Sequence, residues 1–336
     1  MNDPVDPIAA VMHPDPYPYY RMLAQHTGLT WDAGLHLWVA AHPVLVRHIM
    51  THPDCRVRPP HEPVPTRLAG PAGDVFGALA RMNDGEAHAA RRSAVDHVLA
   101  AWTSDSVAHR ARKVATMLAA RGIGTAAQLN AFVLTMPVCT TASLLGCADA
   151  DLPQVAQWTA GFAACLGPLA TAPQIVTAHG AAQALLAALQ AVPGARHDAM
   201  LCANLLGLLS QTYEATAGLL GNCVAGLLRG AAPAGLVTAT LHADPAIHNT
   251  RRFAAREIGI GTATVSAGQG ILLVLAAAGA GHGFGHGRHR CPGQAIASSI
   301  VEQAVAVLAA TQVLPRVAWR YRPSVNARIP DFMEAP

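Results

Sequence analysis

The stretch GFGHGRHRCPG, residues 283–293, contains the side chains of this chain best suited to binding a metal ion. Cys291 lies there among glycines and histidines, whereas most of the remaining sequence is rich in alanine and leucine. Glycine has no Cβ, so a backbone with glycines at 283, 285 and 287 can pass close to a flat object. The stretch therefore predicts a loop that presents one thiol beside a flat ligand.

Cys291 also comes just before a predicted helix. Pro292 and Gly293 are typical of a helix start, and the run that follows has one apolar stripe, formed by Ile296, Ile300, Ala304 and Leu308. Free N–H groups and the positive end of the helix dipole favour a thiolate at this place. A thiolate held in this way is an axial ligand for iron.

Two other interpretations of the stretch are open. Cys291 could be a structural cysteine in a glycine-rich turn. Alternatively, four side chains could form a zinc site: His282, His286, His289 and Cys291. The zinc interpretation is weaker, because structural zinc usually draws its ligands from two separated pairs.

The bulk composition limits the kind of protein. With 336 residues and 52% hydrophobic content, the chain can bury a large core. A net charge of +3, without a basic patch interleaved with aromatics, predicts no nucleic-acid partner. The first residues carry acids and prolines, and no apolar run reaches bilayer length, so we expect neither export nor a membrane partner.

The other six cysteines lie among apolar residues, which indicates reduced core residues in a cytoplasmic protein.

Helical periodicity dominates the chain, with breaks at Gly122, Gly146, Gly167, Pro173 and residues 193–194. A short hairpin is expected at 28–41, a proline-rich loop at 55–73, and short strands at 257–275. With no linker and no internal repeat, the sequence predicts a single domain over 1–336, mainly α with a minor β portion.

The loop resembles the signature of the cytochrome P-450 superfamily: Phe, two residues, Gly, three residues, Cys, one residue, Gly. Here these residues are Phe284, Gly287, Cys291 and Gly293. The resemblance implies a cytochrome P-450 fold, haem b (iron protoporphyrin IX) as cofactor, and Cys291 as the iron ligand. Other segments resemble the family in the expected order over most of the chain.

Further cofactor-binding residues follow from the resemblance. His88 and Arg92 lie four apart in a segment that resembles the C helix, a spacing at which two donors reach one carboxylate, such as a haem propionate. The register of the segment 244–261 places Arg252 as a second propionate partner, with Arg251 as the close alternative. The loop adds His289, beside Phe284, Gly285 and Gly293.

The segment 208–222 resembles the long I helix across the distal face, but it departs from the family at one position. Glu214 keeps the expected acid, whereas Ala215 replaces the threonine whose hydroxyl serves proton delivery. Proton transfer would then use Glu214, Thr216, Thr212, ordered water or a substrate hydroxyl. Alternatively, Glu214 only satisfies backbone groups in a bent helix. Glu214 and Thr216 are the predicted catalytic residues.

The K helix departs further, because the family's Glu-x-x-Arg pair falls on Ala239 and His242. The meander that normally supplies a third member of this network is also missing, so the chain is shortened between about 230 and 283. Losing all members of a buried ionic network can be nearly neutral, whereas losing one partner costs several kcal/mol.

The substrate pocket is expected between residues 213–216, 60–74 and 247–249, with pocket residues Tyr213, Ala215, Ile247, His248 and Asn249. For His248 a turn-capping role is the alternative.

Three functions are consistent with the resemblance. The first is monooxygenase-type oxidation of a small organic, secondary-metabolite-like substrate, with electrons from a ferredoxin- or flavodoxin-type redox partner. The second keeps the haem but performs peroxide-driven oxidation, coupling, isomerisation or dehydration. The third is a non-catalytic haem-binding accessory protein.

Overall fold

The computed structural model describes residues 3–192, 198–279, 281–311 and 314–335. Helices dominate these residues: α1 (Tyr17–Ala24), α2 (Pro43–Thr51), α3 (Pro71–Ala78), α4 (Gly85–Ala100), α5 (Ser104–Ala119), α6 (Ala126–Leu144), α7 (Leu152–Ala163), α8 (Ala172–Leu189), α9 (Ala199–Gln211), α10 (Ala217–Leu228), α11 (Leu236–Ala243) and α12 (Gln294–Ala310). A π-helical segment, Thr212–Thr216, joins α9 to α10.

The strands are β1 (Thr30–Asp32), β2 (Leu37–Ala40), β3 (Cys55–Arg56), β4 (Asn249–Ala254), β5 (Ile258–Ile260), β6 (Ala263–Val265), β7 (Gly270–Val274), β8 (Val317–Tyr321) and β9 (Pro330–Glu334). Five of them form one sheet in the order β1-β2-β7-β4-β3, in which only β2 and β7 pair in parallel. β5 pairs with β6, and β8 pairs with β9. The predicted fold class, mainly α with a minor β portion, is confirmed.

Local side-chain chemistry explains several helix starts that the periodicity placed wrongly. The break predicted at Pro173 lies at Thr171, where a capping box with Gln174 begins α8 and leaves Pro173 in the first turn. Another break, at Thr103 between α4 and α5, was not predicted; Thr103 accepts a hydrogen bond from the Ser106 N–H. The break predicted at residues 193–194 lies outside the described residues.

Two further differences concern loops and strands. The proline-rich loop was predicted to reach Gly73, but α3 already begins at Pro71, which suits the first turn of a helix. The C-terminal hairpin of β8 and β9 was not predicted either. The predicted strands at 28–41 and 257–275 are confirmed.

The main core lies among the helices, and a smaller one packs around the five-stranded sheet. α12 follows the cysteine loop and contacts α5, α6, α10 and the π-helical segment. Its predicted stripe is confirmed, because Ile300, Ala304 and Leu308 are buried. α12 is thus the element through which the helical core supports the cysteine loop.

The cysteines divide as the sequence predicted. Cys291 is exposed, whereas the other six are buried or half-buried: Cys55, Cys139, Cys147, Cys165, Cys202 and Cys223.

One segment, Gly287–Ala310, is long and apolar enough to cross a membrane by length and composition alone, contrary to the expectation from the sequence. Its first residues include Arg288 and Arg290, and the helix itself has 17 residues and contributes to the main core. About 20 apolar residues are needed to span a bilayer, so we interpret α12 as a core helix.

Candidate functional site

Backbone hydrogen bonds close the cysteine loop. The Cys291 N–H donates to the Phe284 carbonyl at 2.8 Å, and the Arg290 N–H donates to the Gly287 carbonyl at 3.0 Å. Gly285 and Gly287 both have positive φ, at 74° and 67°. A Cβ on Gly287 would also come within 2.9 Å of a Thr51 methyl group. Gly287 is therefore needed for packing against α2. The sequence suggested a different reason, the close approach of the backbone to a flat ligand.

Cys291 is solvent-accessible, yet the protein surrounds it closely enough that burial raises the pKa of its thiol. Both observations agree if the sulfur lies at the bottom of a concave surface that water can enter. The Gly293 N–H, Arg92 and Arg290 lower the pKa, but burial outweighs them. The helix start alone therefore does not stabilise the thiolate, contrary to expectation, and a bound cation would have to do so.

The zinc alternative is not supported. No group of three or more histidine, cysteine or acidic side chains suited to a metal ion occurs among the described residues. His282 is buried and its Nδ1 lies 3.2 Å from the Gly279 carbonyl, while the His289 Nε2 lies 3.1 Å from Asp84. Two of the four residues of the zinc alternative thus have other partners.

Three of the four predicted propionate partners lie together beside the cysteine loop. The rings of His88 and His289 stack with centroids 4.2 Å apart. Arg92 donates to the carbonyls of Arg290, at 2.8 Å, and Arg288, at 3.3 Å, and forms an ion pair with Asp96. Arg92 thereby ties α4 to the loop that carries Cys291.

The histidines have different charge preferences. Burial, followed by the influence of His289 and Arg92, lowers the pKa of His88 to about 4, so this ring is neutral near pH 7. Burial opposes ionisation of Asp84, but hydrogen bonds from His289 and the Val57 N–H hold its pKa below its ordinary value. His88 can therefore serve a carboxylate only as a neutral donor.

Arg252 lies on β4 and is 4% exposed. Its guanidinium donates to the Arg251 carbonyl at 2.8 Å, and no carboxylate of the described residues lies within ion-pair distance of it. Burial lowers its pKa, because removing a charged guanidinium from water is unfavourable. A carboxylate from a ligand would offset that cost.

These residues fit haem. An accessible thiol, a buried guanidinium without a carboxylate, and a cluster of two imidazoles and one guanidinium match an iron ligand and partners for two carboxylates. Phe284, Gly285 and Gly293 shape the loop rather than offering polar side chains.

We expect Arg252→Gln and Arg92→Gln to weaken haem retention about tenfold to hundredfold, because charge-assisted hydrogen bonds are worth about 1.5–3 kcal/mol each. The rate of haem transfer to a scavenging protein measures this. Arg112→Gln is the matched control, since Arg112 is exposed and bonds Gln303. Haem loss at the control rate in both variants would contradict the placement.

The π-helical segment coincides with the predicted distal residues, and such segments are frequent at functional sites. Glu214 resembles Cys291: its side chain is accessible, yet burial raises its pKa, with Arg81 as the opposing influence. Thr216 is buried, whereas Tyr213 and Ala215 are half-buried. Of the two predicted catalytic residues, Glu214 is exposed and Thr216 is not.

Two predicted pocket residues are buried. His248 is 0% exposed, and its Nδ1 lies 2.8 Å from the Tyr20 hydroxyl. Asn249 is buried and donates to the Val325 carbonyl at 2.7 Å. Segments near both ends of the chain thus cover these side chains, and their place in the pocket stays a prediction. Ile247 is half-buried and forms an isolated bridge with Ala327.

A buried network that the sequence did not reveal surrounds His248. Asp244, directly after α11, accepts hydrogen bonds from Arg328 Nε at 2.7 Å and from the Tyr17 hydroxyl at 2.5 Å. Arg328 is 1% exposed, lies over the Tyr321 ring, and donates to the carbonyls of Val11, His13 and Pro14. The residues expected to have lost their ion pair, Ala239 and His242, are exposed on α11. Asp244 and Arg328 thus form a buried pair at the end of this helix.

His248 makes this network sensitive to acid. Burial, reinforced by Arg328, lowers the pKa of His248 to about 3, so the unfolded chain binds this proton more readily. The free energy of unfolding should fall as the pH drops from about 6.5 toward 3, by at most about 1.4 kcal/mol per pH unit.

Urea unfolding at several pH values measures this effect. His248→Gln should flatten the acid limb, whereas the exposed His26→Gln should leave it unchanged. An equal slope in all three proteins would show that His248 does not carry the effect.

A groove of about 290 Å³ lies elsewhere, between α1 and the first hairpin, lined by residues such as Tyr19, Trp31 and Val39. It contains none of the predicted site residues.

Solved structures resemble the chain over nearly its whole length. P450BioI, in complex with an acyl carrier protein ligated to hexadec-9Z-enoic acid, matches with a TM-score of 0.79 and 18% identity over 95% of this chain and 97% of that chain. CalO2 matches with 0.79 and 17% over 98% of each chain. CYP154A1 from Streptomyces coelicolor A3(2) matches with 0.70 and 21% over 96% of this chain and 97% of that chain. No protein-family model and no curated protein matches the chain.

Proposed function

We propose, on the premise that the chain has the cytochrome P450 fold, that it is a haem-thiolate oxidoreductase acting on a small organic molecule. The observation that carries this proposal is Cys291, held in an accessible position at the start of α12 beside Arg92, His88 and His289. We also propose that the cofactor is haem b, as the resemblance of the cysteine loop implies, and that the protein is cytoplasmic, without a nucleic-acid or membrane partner.

Each residue of the site has a distinct role in this proposal. The Cys291 sulfur binds the iron, and Arg252, Arg92, His88 and His289 hold the propionates. Haem, when bound, activates oxygen or peroxide for oxidation of the substrate. Pairing with the iron would also offset the cost of ionising a thiol whose pKa burial raises.

The first test is spectroscopic. The protein supplied with haem, reduced and exposed to carbon monoxide, should show the red-shifted band of thiolate ligation. A band typical of histidine or weak ligation would overturn the proposal.

We further propose monooxygenase-type chemistry with Glu214 as the proton carrier, because Ala215 offers no hydroxyl and Glu214 is an exposed acid of the π-helical segment. Burial raises the pKa of Glu214, which favours its protonated form and so its use as a proton donor. Electrons would come from a ferredoxin- or flavodoxin-type partner, for which the exposed Arg288 and Arg290 offer positive charge near the cysteine loop.

Glu214→Gln should slow oxygen-dependent turnover about a hundredfold, because general acid–base groups contribute roughly 10²–10⁴ to rates. The carbon monoxide band should stay intact. Glu302→Gln, an exposed change on α12, is the control. Turnover with reductase and oxygen is measured against turnover with peroxide.

Ala215 also favours a second candidate, oxidation driven by peroxide, since peroxide brings its own protons. Equal rates for wild type and Glu214→Gln under both regimes would remove Glu214 from the mechanism and support this second candidate.

A further inference from the structure

Arg81 is a half-buried arginine near Glu214. It lies on the 3₁₀ turn Ala80–Met82, between α3 and α4. Its Nε is buried without a hydrogen bond, and no side-chain hydrogen bond or ion pair of Arg81 occurs among the described residues. A buried donor without a partner is costly, and a ligand that accepts from it would offset that cost.

The 3₁₀ turn that carries Arg81 is fixed against α9, the helix that leads into the π-helical segment with Glu214. Asn204 on α9 accepts from the Ala80 N–H at 2.8 Å and donates to the Ala78 carbonyl at 3.0 Å. Asn83 donates to the carbonyls of Gly77 and Leu79. These hydrogen bonds fix the backbone on both sides of Arg81, so the position from which its side chain extends is preorganised.

Charged groups near Arg81 leave an excess of positive charge. Burial lowers the pKa of Arg81, while Glu214 raises it and Arg58 lowers it further. Arg58 lies over the Phe76 ring. Arg251 and Arg67 lower the pKa of Arg58, whereas Glu62 raises it. Glu62 accepts hydrogen bonds from the N–H and the hydroxyl of Thr66. Glu214 has no hydrogen bond among the described residues. Arg81 and Arg58 thus leave more positive than negative charge near Glu214.

We propose that the distal pocket recognises a substrate with an oxyanion, a carboxylate or a phosphate, through the guanidinium of Arg81. Arg81 offers several donors in one plane, which matches both oxyanions. Arg58 adds positive charge at longer range. This inference rests on the proposed function and names the substrate class of that same site.

The test compares four probes that share one alkyl chain: octanoate, octyl phosphate, octanol and octylamine. Binding to the haem-loaded protein is measured by calorimetry and by the haem absorption change. The two oxyanions should bind about tenfold to hundredfold more tightly than octanol, and octylamine most weakly. The ratio of octanoate to octyl phosphate then distinguishes the two oxyanions.

Arg81→Gln should remove the preference for oxyanions, and Arg81→Lys should restore part of it. Both variants should keep the haem content and the carbon monoxide band of the wild type, as should Arg112→Gln, which also keeps the preference. Glu214→Gln should not weaken oxyanion binding.

Three outcomes would overturn the inference. Equal affinities for octanoate and octanol in the wild type would show no anion recognition. Loss of haem from Arg81→Gln would make Arg81 a propionate partner instead. Tightest binding of octylamine, lost in Glu214→Gln, would assign recognition to Glu214. Failure of the wild type to bind haem would contradict the proposed function, while calorimetry would still report probe selectivity.

Discussion

Replacing Cys291 with alanine should abolish the red-shifted carbon monoxide band of the reduced, haem-loaded protein. Cys291 is the accessible cysteine at the loop, whereas the other six are buried or half-buried. Burial raises the pKa of the thiols of Cys55 and Cys165 to about 11, so these cannot supply a thiolate readily. Without Cys291 the site keeps its propionate partners but has no anionic iron ligand.

The spectra separate ligand loss from unfolding. Cys291→His should retain some haem and give a band shifted away from that of thiolate ligation, because imidazole is a neutral ligand. Cys147→Ala, a change at a half-buried cysteine, is the control and should leave the band unchanged. Persistence of the wild-type band in Cys291→Ala would make the assignment of the iron ligand wrong.

Replacing Arg328 with methionine should lower the free energy of unfolding by about 3–5 kcal/mol. The guanidinium is 1% exposed, pairs with Asp244 at 2.7 Å, and serves three carbonyls of the N-terminal segment. Without this guanidinium, Asp244 and these carbonyls lack hydrogen-bond donors at a position with little access to water. Urea denaturation, with the midpoint and slope measured together, reports the change.

Arg320→Met is the matched control. Arg320 lies on β8 of the same hairpin region, but it is 71% exposed and lies 3.6 Å from Asp331, so its loss should cost less than about 1 kcal/mol. The double variant Asp244→Leu with Arg328→Met should cost less than the sum of the single changes, because both partners are removed. Additive losses would show that the pair does not act as a unit.

The sequence predicted the cysteine loop because its chemistry is local. Glycines, a cysteine and a helix start lie within a few residues, so spacing along the chain and spacing in the fold are nearly the same. The helix after Cys291 was predictable for the same reason, since its buried stripe repeats within one element. His88 and Arg92 were found by their separation of four residues on one helix, and the structure brings them to the loop.

The sequence does not show which distant segments cover a predicted pocket residue. His248 and Asn249 were assigned to the pocket because the family resemblance places their segment over the distal face. Tyr20, 228 residues away, and Val325 cover them. Arg81 was missed because a single arginine in a short turn has no pattern, although its position just before the segment with His88 was a weak signal.

The sequence by itself determined the mainly helical class, the cysteine loop before α12 and the loss of the pair expected at Ala239 and His242. Only the tertiary structure decided what lies at the end of that helix: Arg328 reaches Asp244 across 84 residues and the Val11 carbonyl across 317. The physical reason is that helix periodicity and loop chemistry are properties of neighbouring residues. A buried ionic network instead depends on which distant segments the packed core brings together, and no spacing in the chain encodes that.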